Sequence, residues 1–271
     1  MSSHDPNDSP SVKPAVRVLG DVGEISRAAA VEFTRSSIES VERAGLFTVA
    51  LSGGSTPGPL YALLANSCEP YRRRVAWDRI HFFWGDERHV PPDSPESNYR
   101  MAEEWLLSRV PVPAGNIHRI QGELPDPGEA ADEYERDIRR HFHLAGSERP
   151  RFDLIFLGMG EDGHTASLFP GTAILHERER LASAVWVDKM RSHRISLTPP
   201  VLNNAASVIF LVSGVDKAVT LDAVLNGPYR PDLLPAQLIR PVNGRLLWLV
   251  DRGVGGRDGE RVPDPISPRE V

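Results

Sequence analysis

Short, nearly uninterrupted apolar segments recur at residues 47–51, 80–84, 153–157, 184–187, 208–212 and 246–250. None alternates strictly between apolar and polar positions. A strand with one wet face alternates, whereas a strand covered on both faces does not, so these segments predict a buried, mostly parallel sheet. Between them the period lengthens. Over residues 25–44, Ala28, Val31, Ile38 and Val41 share one helical face. Further helices are expected over 58–65, 98–110, 128–143 and 215–225. Strands alternating with helices predict an α/β fold with helices on both faces of the sheet. Ligands in such folds bind outside the carboxyl ends of the strands, so the loops after the strands are where chemistry is expected.

The ends of the chain differ from its middle. Residues 1–14 are polar and contain prolines, and they read as a disordered leader. Residues 251–271, rich in glycine, proline and charge, read as a flexible tail. Residues 15–250 then form one α/β domain, without internal repeats or a long linker. No apolar run approaches the ~20 residues needed to span a bilayer, and no signal-peptide core precedes the domain, so the expected location is the cytoplasm. The 37 acidic and 31 basic residues give a net charge of −6, which argues against binding nucleic acid through bulk positive charge. The lone Cys68 cannot form an internal disulfide and reads as a buried or incidental thiol.

Four loops could carry chemistry. After the first apolar segment comes Ser52-Gly53-Gly54-Ser55-Thr56-Pro57, followed by a helix. Glycines that expose N–H groups, hydroxyls and a helix N-terminus make a phosphate cradle; a plain capped turn is the alternative. After the second comes Gly85-Asp86-Glu87-Arg88-His89. Arg88 suits a phosphate or carboxylate, and Asp86 and Glu87 suit sugar hydroxyls or support of Arg88. Ser97 or Asn98 would cap the next helix.

The third loop is Gly158-Met159-Gly160-Glu161-Asp162-Gly163-His164. It matches G-x-G-x-x-G, but three features speak against a dinucleotide site. Pro170-Gly171 interrupts the required helix, Asp162 places negative charge where pyrophosphate would sit, and Asp188 lies beyond the usual ~20-residue spacing. His164 beside a glycine turn fits acid–base catalysis, with Asp162 orienting it or touching substrate. No short-range metal motif or Gly-x-Ser-x-Gly elbow is present. The fourth loop, Ser213-Gly214-Val215-Asp216-Lys217, offers Lys217 to an anion.

Taken in order, these four blocks resemble the 6-phosphogluconolactonase family over roughly residues 15–250. Arg194-Ile195-Ser196-Leu197-Thr198 is similar to the family's basic strand segment. The resemblance implies a Rossmann-like fold shared with glucosamine-6-phosphate deaminases and ribose-5-phosphate isomerases. It implies hydrolysis of 6-phospho-D-glucono-1,5-lactone in the oxidative pentose phosphate pathway, with no cofactor or metal. The implied partner is a small phosphorylated sugar lactone, with neither nucleic acid nor membrane. His164 would be the catalytic histidine and Asp162 a member of the site. Ser52, Gly53, Gly54, Ser55, Thr56, Asp86, Arg88, Arg194 and Lys217 would bind substrate. The sister deaminases carry a catalytic glutamate five positions beyond the histidine, where this chain has Phe169. A deaminase is therefore the second reading, and a non-catalytic sugar-phosphate sensor the third.

Overall fold

The computed structural model describes residues 14–255. Its main sheet has six parallel strands: β1 (Ala15–Leu19), β2 (Phe47–Leu51), β3 (Ile80–Trp84), β5 (Leu154–Leu157), β8 (Ser207–Val212) and β9 (Arg245–Asp251). They lie in the order β1-β9-β8-β5-β2-β3. Every residue of β2, β5 and β8 is buried, as expected for strands covered on both faces.

The longest helix, α1 (Val22–Ala44), starts where Asp21 Oδ1 accepts from Glu24 N at 2.9 Å while Glu24 Oε2 accepts from Gly20 N at 2.6 Å. This two-way arrangement satisfies amides that a helix start leaves open. Ile25, Ala29, Ala30 and Phe33 form its buried stripe. Phe33 meets Phe47 edge-on at 5.4 Å between ring centroids, so one side chain ties the helix to β2. Burying a phenyl group of this kind contributes roughly 1.5–3 kcal/mol. Glu32 accepts from both terminal nitrogens of Arg245, which fixes α1 to β9.

Two buried tyrosines hold the carboxyl ends of adjacent strands. Tyr61 of α2 (Pro57–Ala65) accepts from Ser52 N and donates to Ser52 O. Tyr134 of α5 (Pro127–His141) does the same for Trp84. Burial pushes both phenols above their ordinary range, so they remain neutral donors. The backbone is thus pinned where β2 and β3 hand over to their loops.

The apolar segment at 184–187 is not part of the parallel sheet. It belongs to β6 (Ala182–Val187), which pairs antiparallel with β7 (Ser192–Leu197); β7 in turn pairs with β4 (Asp86–Arg88). Trp186 there is 47% exposed, so this strand is covered on one side only. Strands β1, β4 and β7 complete the two sheets beyond the apolar segments of the sequence. At the far end, β9 includes Asp251, and a helical turn covers Arg252–Gly255. Asp251 accepts from Ser213 Oγ and, at 3.1 Å, from Gly214 N, so residues 251–255 belong to the folded domain. The rest of the expected tail, and all but Pro14 of the expected leader, lie outside the described residues. Among the described residues, no helix is long and apolar enough to cross a membrane.

Candidate active site

The four loops leave the carboxyl ends of β2, β3, β5 and β8, which are neighbours in the sheet. They converge on one cleft of about 180 Å³. Its walls include Ser52, Gly53, Gly54, Ser55, Thr56, Asp86, Arg88, His164 and Lys217. Asp162 stands behind His164. Arg194 is not among the wall residues; it lies directly across the β4–β7 pair from Arg88.

The third loop is shaped around its histidine. Gly160 N donates to His164 O at 2.9 Å, and a Cβ on Gly160 would fall 2.1 Å from the His164 ring. Only glycine lets the ring lie over the loop. No helix follows Gly163, which removes the structural basis for dinucleotide binding. His164 Nδ1 lies 2.5 Å from Asp162 Oδ1, and the same oxygen accepts from His164 N at 3.2 Å. The imidazole stacks on Phe169 at 4.1 Å and 21°. Asp162 and Phe169 therefore fix both the edge and the face of the ring, and Nε2 is left for the cleft. The His164 hydrogen bond, opposed by burial and aided by the charges of His164 and Lys189, holds the Asp162 carboxyl well below the usual carboxylate range.

On the opposite wall, α2 begins without a side-chain cap: Thr56 makes no capping bond, and Pro57 occupies the first turn. The helix start keeps amides available for an anion. Ser52 Oγ and Arg88 Nε are both buried without a hydrogen-bond partner. Buried polar groups are normally satisfied, and both residues line the cleft, where a ligand can supply the partner. Arg88 Nη1 donates to Glu96 O at 2.7 Å, while Lys217 Nζ donates to Ser213 O at 2.8 Å.

Asp86 and Glu87 have different work. Glu87 accepts from the N–H groups of Arg88, Asn98 and Tyr99 and from Ser97 Oγ, all within 3.0 Å. It binds the start of α4 (Asn98–Trp105), and no sugar contact is left to it; burial nonetheless raises its pKa against those bonds. Ser97 is the cap, accepting from Arg100 N. Asp86 accepts from Ser167 Oγ at 2.6 Å and Asn98 Nδ2 at 3.2 Å, so it joins the glycine loop to α4 as well as lining the cleft. The sequence pattern presented Asn98 only as a cap and did not single out Ser167, yet both support the site.

Asn98 also explains Gly53. A Cβ there would sit 1.8 Å from Asn98 Oδ1. Gly53→Ala is expected to displace Asn98 from Asp86 and to cost about 1–3 kcal/mol, the usual scale of overpacking. Urea unfolding measures this; unchanged stability would mean that Asn98 moves aside freely.

A family described as glucosamine-6-phosphate isomerases/6-phosphogluconolactonase matches residues 20–248. The chain belongs to this family. The 6-phosphogluconolactonase of Nostoc sp. is 42% identical over 246 residues, which is 90% of this chain and 98% of that protein. The crystal structure of 6-phosphogluconolactonase from Thermotoga maritima superposes with a TM-score of 0.75 at 33% identity, covering 88% of this chain and all of that one. A monomeric glucosamine-6-phosphate deaminase is similar in fold, with a TM-score of 0.73 at 18% identity over 89% of this chain and 98% of its own.

Proposed function

We propose that this chain hydrolyses 6-phospho-D-glucono-1,5-lactone to 6-phosphogluconate, the lactonase step of the oxidative pentose phosphate pathway, with His164 as general base. The observation that carries this reading is the Asp162–His164 pair in the same cleft as Arg88, Lys217 and the uncapped start of α2. His164 Nε2 takes a proton from water as the water oxygen bonds to C1. Asp162 keeps the proton on Nδ1 and stabilises the imidazolium that forms. The tetrahedral oxyanion collapses, the bond from C1 to the ring oxygen breaks, and His164 returns its proton to that oxygen as the C5 hydroxyl. The new carboxylic acid ionises, so one water is consumed and one proton released. The phosphate, held by Arg88, Lys217 and the Ser52–Thr56 loop, sets C1 against the water.

Phe169 separates this reaction from amine release. It occupies the position five beyond His164, and its ring is packed on the imidazole. A phenyl ring cannot shuttle the proton that sugar ring opening needs. Purified protein is expected to accelerate proton release from fresh lactone above the spontaneous rate, and to release no ammonia from glucosamine 6-phosphate. Stoichiometric, enzyme-dependent ammonia would overturn the reading.

A further inference from the structure

Away from the cleft, three histidines from distant parts of the chain meet at the edge of the sheet. His81 lies on β3, the edge strand; His118 follows the segment that bridges Phe82 through Ile117; His141 is the last residue of α5. One ring nitrogen from each lies within 4.8 Å of the other two. None of the three lines the catalytic cleft. We infer that His81, His118 and His141 form a binding site for a borderline divalent transition-metal ion, with Zn²⁺ the ion it fits best.

The geometry supports this point by point. His81 Nδ1 and His118 Nε2 are 3.0 Å apart. Zn–N bonds of about 2.0–2.1 Å at tetrahedral angles place neighbouring ligand nitrogens about 3.3 Å apart, so these two atoms already span nearly one edge of such a site. His118 Nδ1 is 2.8 Å from Asp137 Oδ2. A carboxylate on the far nitrogen fixes the tautomer of a metal-bound histidine and raises its basicity, and here it presents the Nε2 lone pair to the cluster. Phe83 stacks on His118 at 4.2 Å and 2°, and so holds the plane of the ring. His81 needs only its Nε2–H tautomer to offer Nδ1.

Arg140 Nη1, 3.4 Å from Asp137 Oδ1, is the nearby cation, but its side chain is 76% exposed and engages the other carboxylate oxygen. A hollow of about 390 Å³ has His118, Asp137 and Arg140 in its wall and so reaches the cluster on the His118 side. Three imidazoles leave a fourth position for water. Bound there, the ion would fasten edge strand β3 to the C-terminus of α5.

The test uses the full chain carrying Cys68→Ser, because Cys68 is an exposed thiol able to take up zinc by itself. After dialysis against a chelator, calorimetric titration with Zn²⁺ is expected to give one equivalent. Saturation at 100-fold over Kd should raise Tm by roughly 5–10 °C. Co²⁺ in place of Zn²⁺ should give the intense visible bands of a tetrahedral site. Binding should vanish in His141→Gln and His81→Gln, weaken about 10- to 100-fold in Asp137→Asn, and persist in His164→Ala. Circular dichroism checks that each variant is folded. No stoichiometric binding, binding retained in both folded glutamine variants, or binding lost in His164→Ala would overturn the site.

Discussion

His164→Ala is expected to fold like the parent and to lose at least ~10²-fold in lactone turnover, the usual scale for a positioned proton transfer. The ring is at the surface of the cleft, with a side chain 26% exposed, so its removal opens a wall without emptying the core. Asp162 would keep its bond from the backbone N–H of residue 164 and its contact with Lys189 at 3.6 Å. The carboxylate therefore survives, but nothing can take the water proton. Because Asp162 is held below the ordinary carboxylate range, it stays ionised throughout the neutral range and adds no step to the pH–rate profile there. Its depressed pKa also stabilises the fold above the unfolded value near 3.9, and that contribution is lost as pH falls through the folded value. Near-normal turnover in the folded variant, after subtraction of spontaneous hydrolysis, would refute the assignment.

The apolar pattern located the central strands well because burial on both faces leaves an unbroken mark. Strands β2 and β3 have the expected bounds, β5 and β8 differ by one residue at one end, and β9 extends by one residue at each end. The same mark misplaced β6, since a run of four such residues looks alike in a parallel core and a half-covered antiparallel ribbon. Strand β4 was unreadable for the opposite reason: Asp86, Glu87 and Arg88 have no strand character and are held there by pairing with β7. The expected helix over 98–110 ends at Trp105 and continues as a 3-10 turn over Leu107–Arg109. In the site, chemistry-bearing side chains stood out because they sit beside glycines after strands. Asn98 and Ser167 did not, because their partners, Asp86 and Gly53, are remote in sequence. The histidine cluster was invisible for the same reason: its members come from three separate segments and share no short spacing.

Arg88→Ala is expected to weaken binding of 6-phosphogluconate by about 10- to 10²-fold while leaving stability unchanged or slightly higher. The expectation rests on two arginines that stand directly opposite each other across β4 and β7. Arg194 is 7% exposed, and its pKa is lowered by burial first and then by the charge of Arg88. Among the described residues neither arginine forms an ion pair; they donate to Glu96 O, Ser192 Oγ and His193 O instead. Like charges placed opposite each other across strands destabilise a sheet, and a bound dianion would relieve that repulsion. A charge-assisted hydrogen bond to phosphate contributes about 1.5–3 kcal/mol, which sets the expected loss. Removing Arg88 also removes the repulsion on Arg194, hence the absence of a stability penalty. Arg88→Lys should recover little of the affinity, because an ammonium group cannot place both a buried Nε–H and a terminal N–H on one ligand. Lys217→Ala should weaken the same ligand by a smaller factor, since its ammonium already donates to Ser213 O. Calorimetric titration of 6-phosphogluconate and gluconate against the parent and these variants decides the point. The phosphorylated acid should bind far more tightly to the parent, and the gap should close in Arg88→Ala. Equal affinity of the parent for both acids would show that the paired arginines serve the fold and not the substrate.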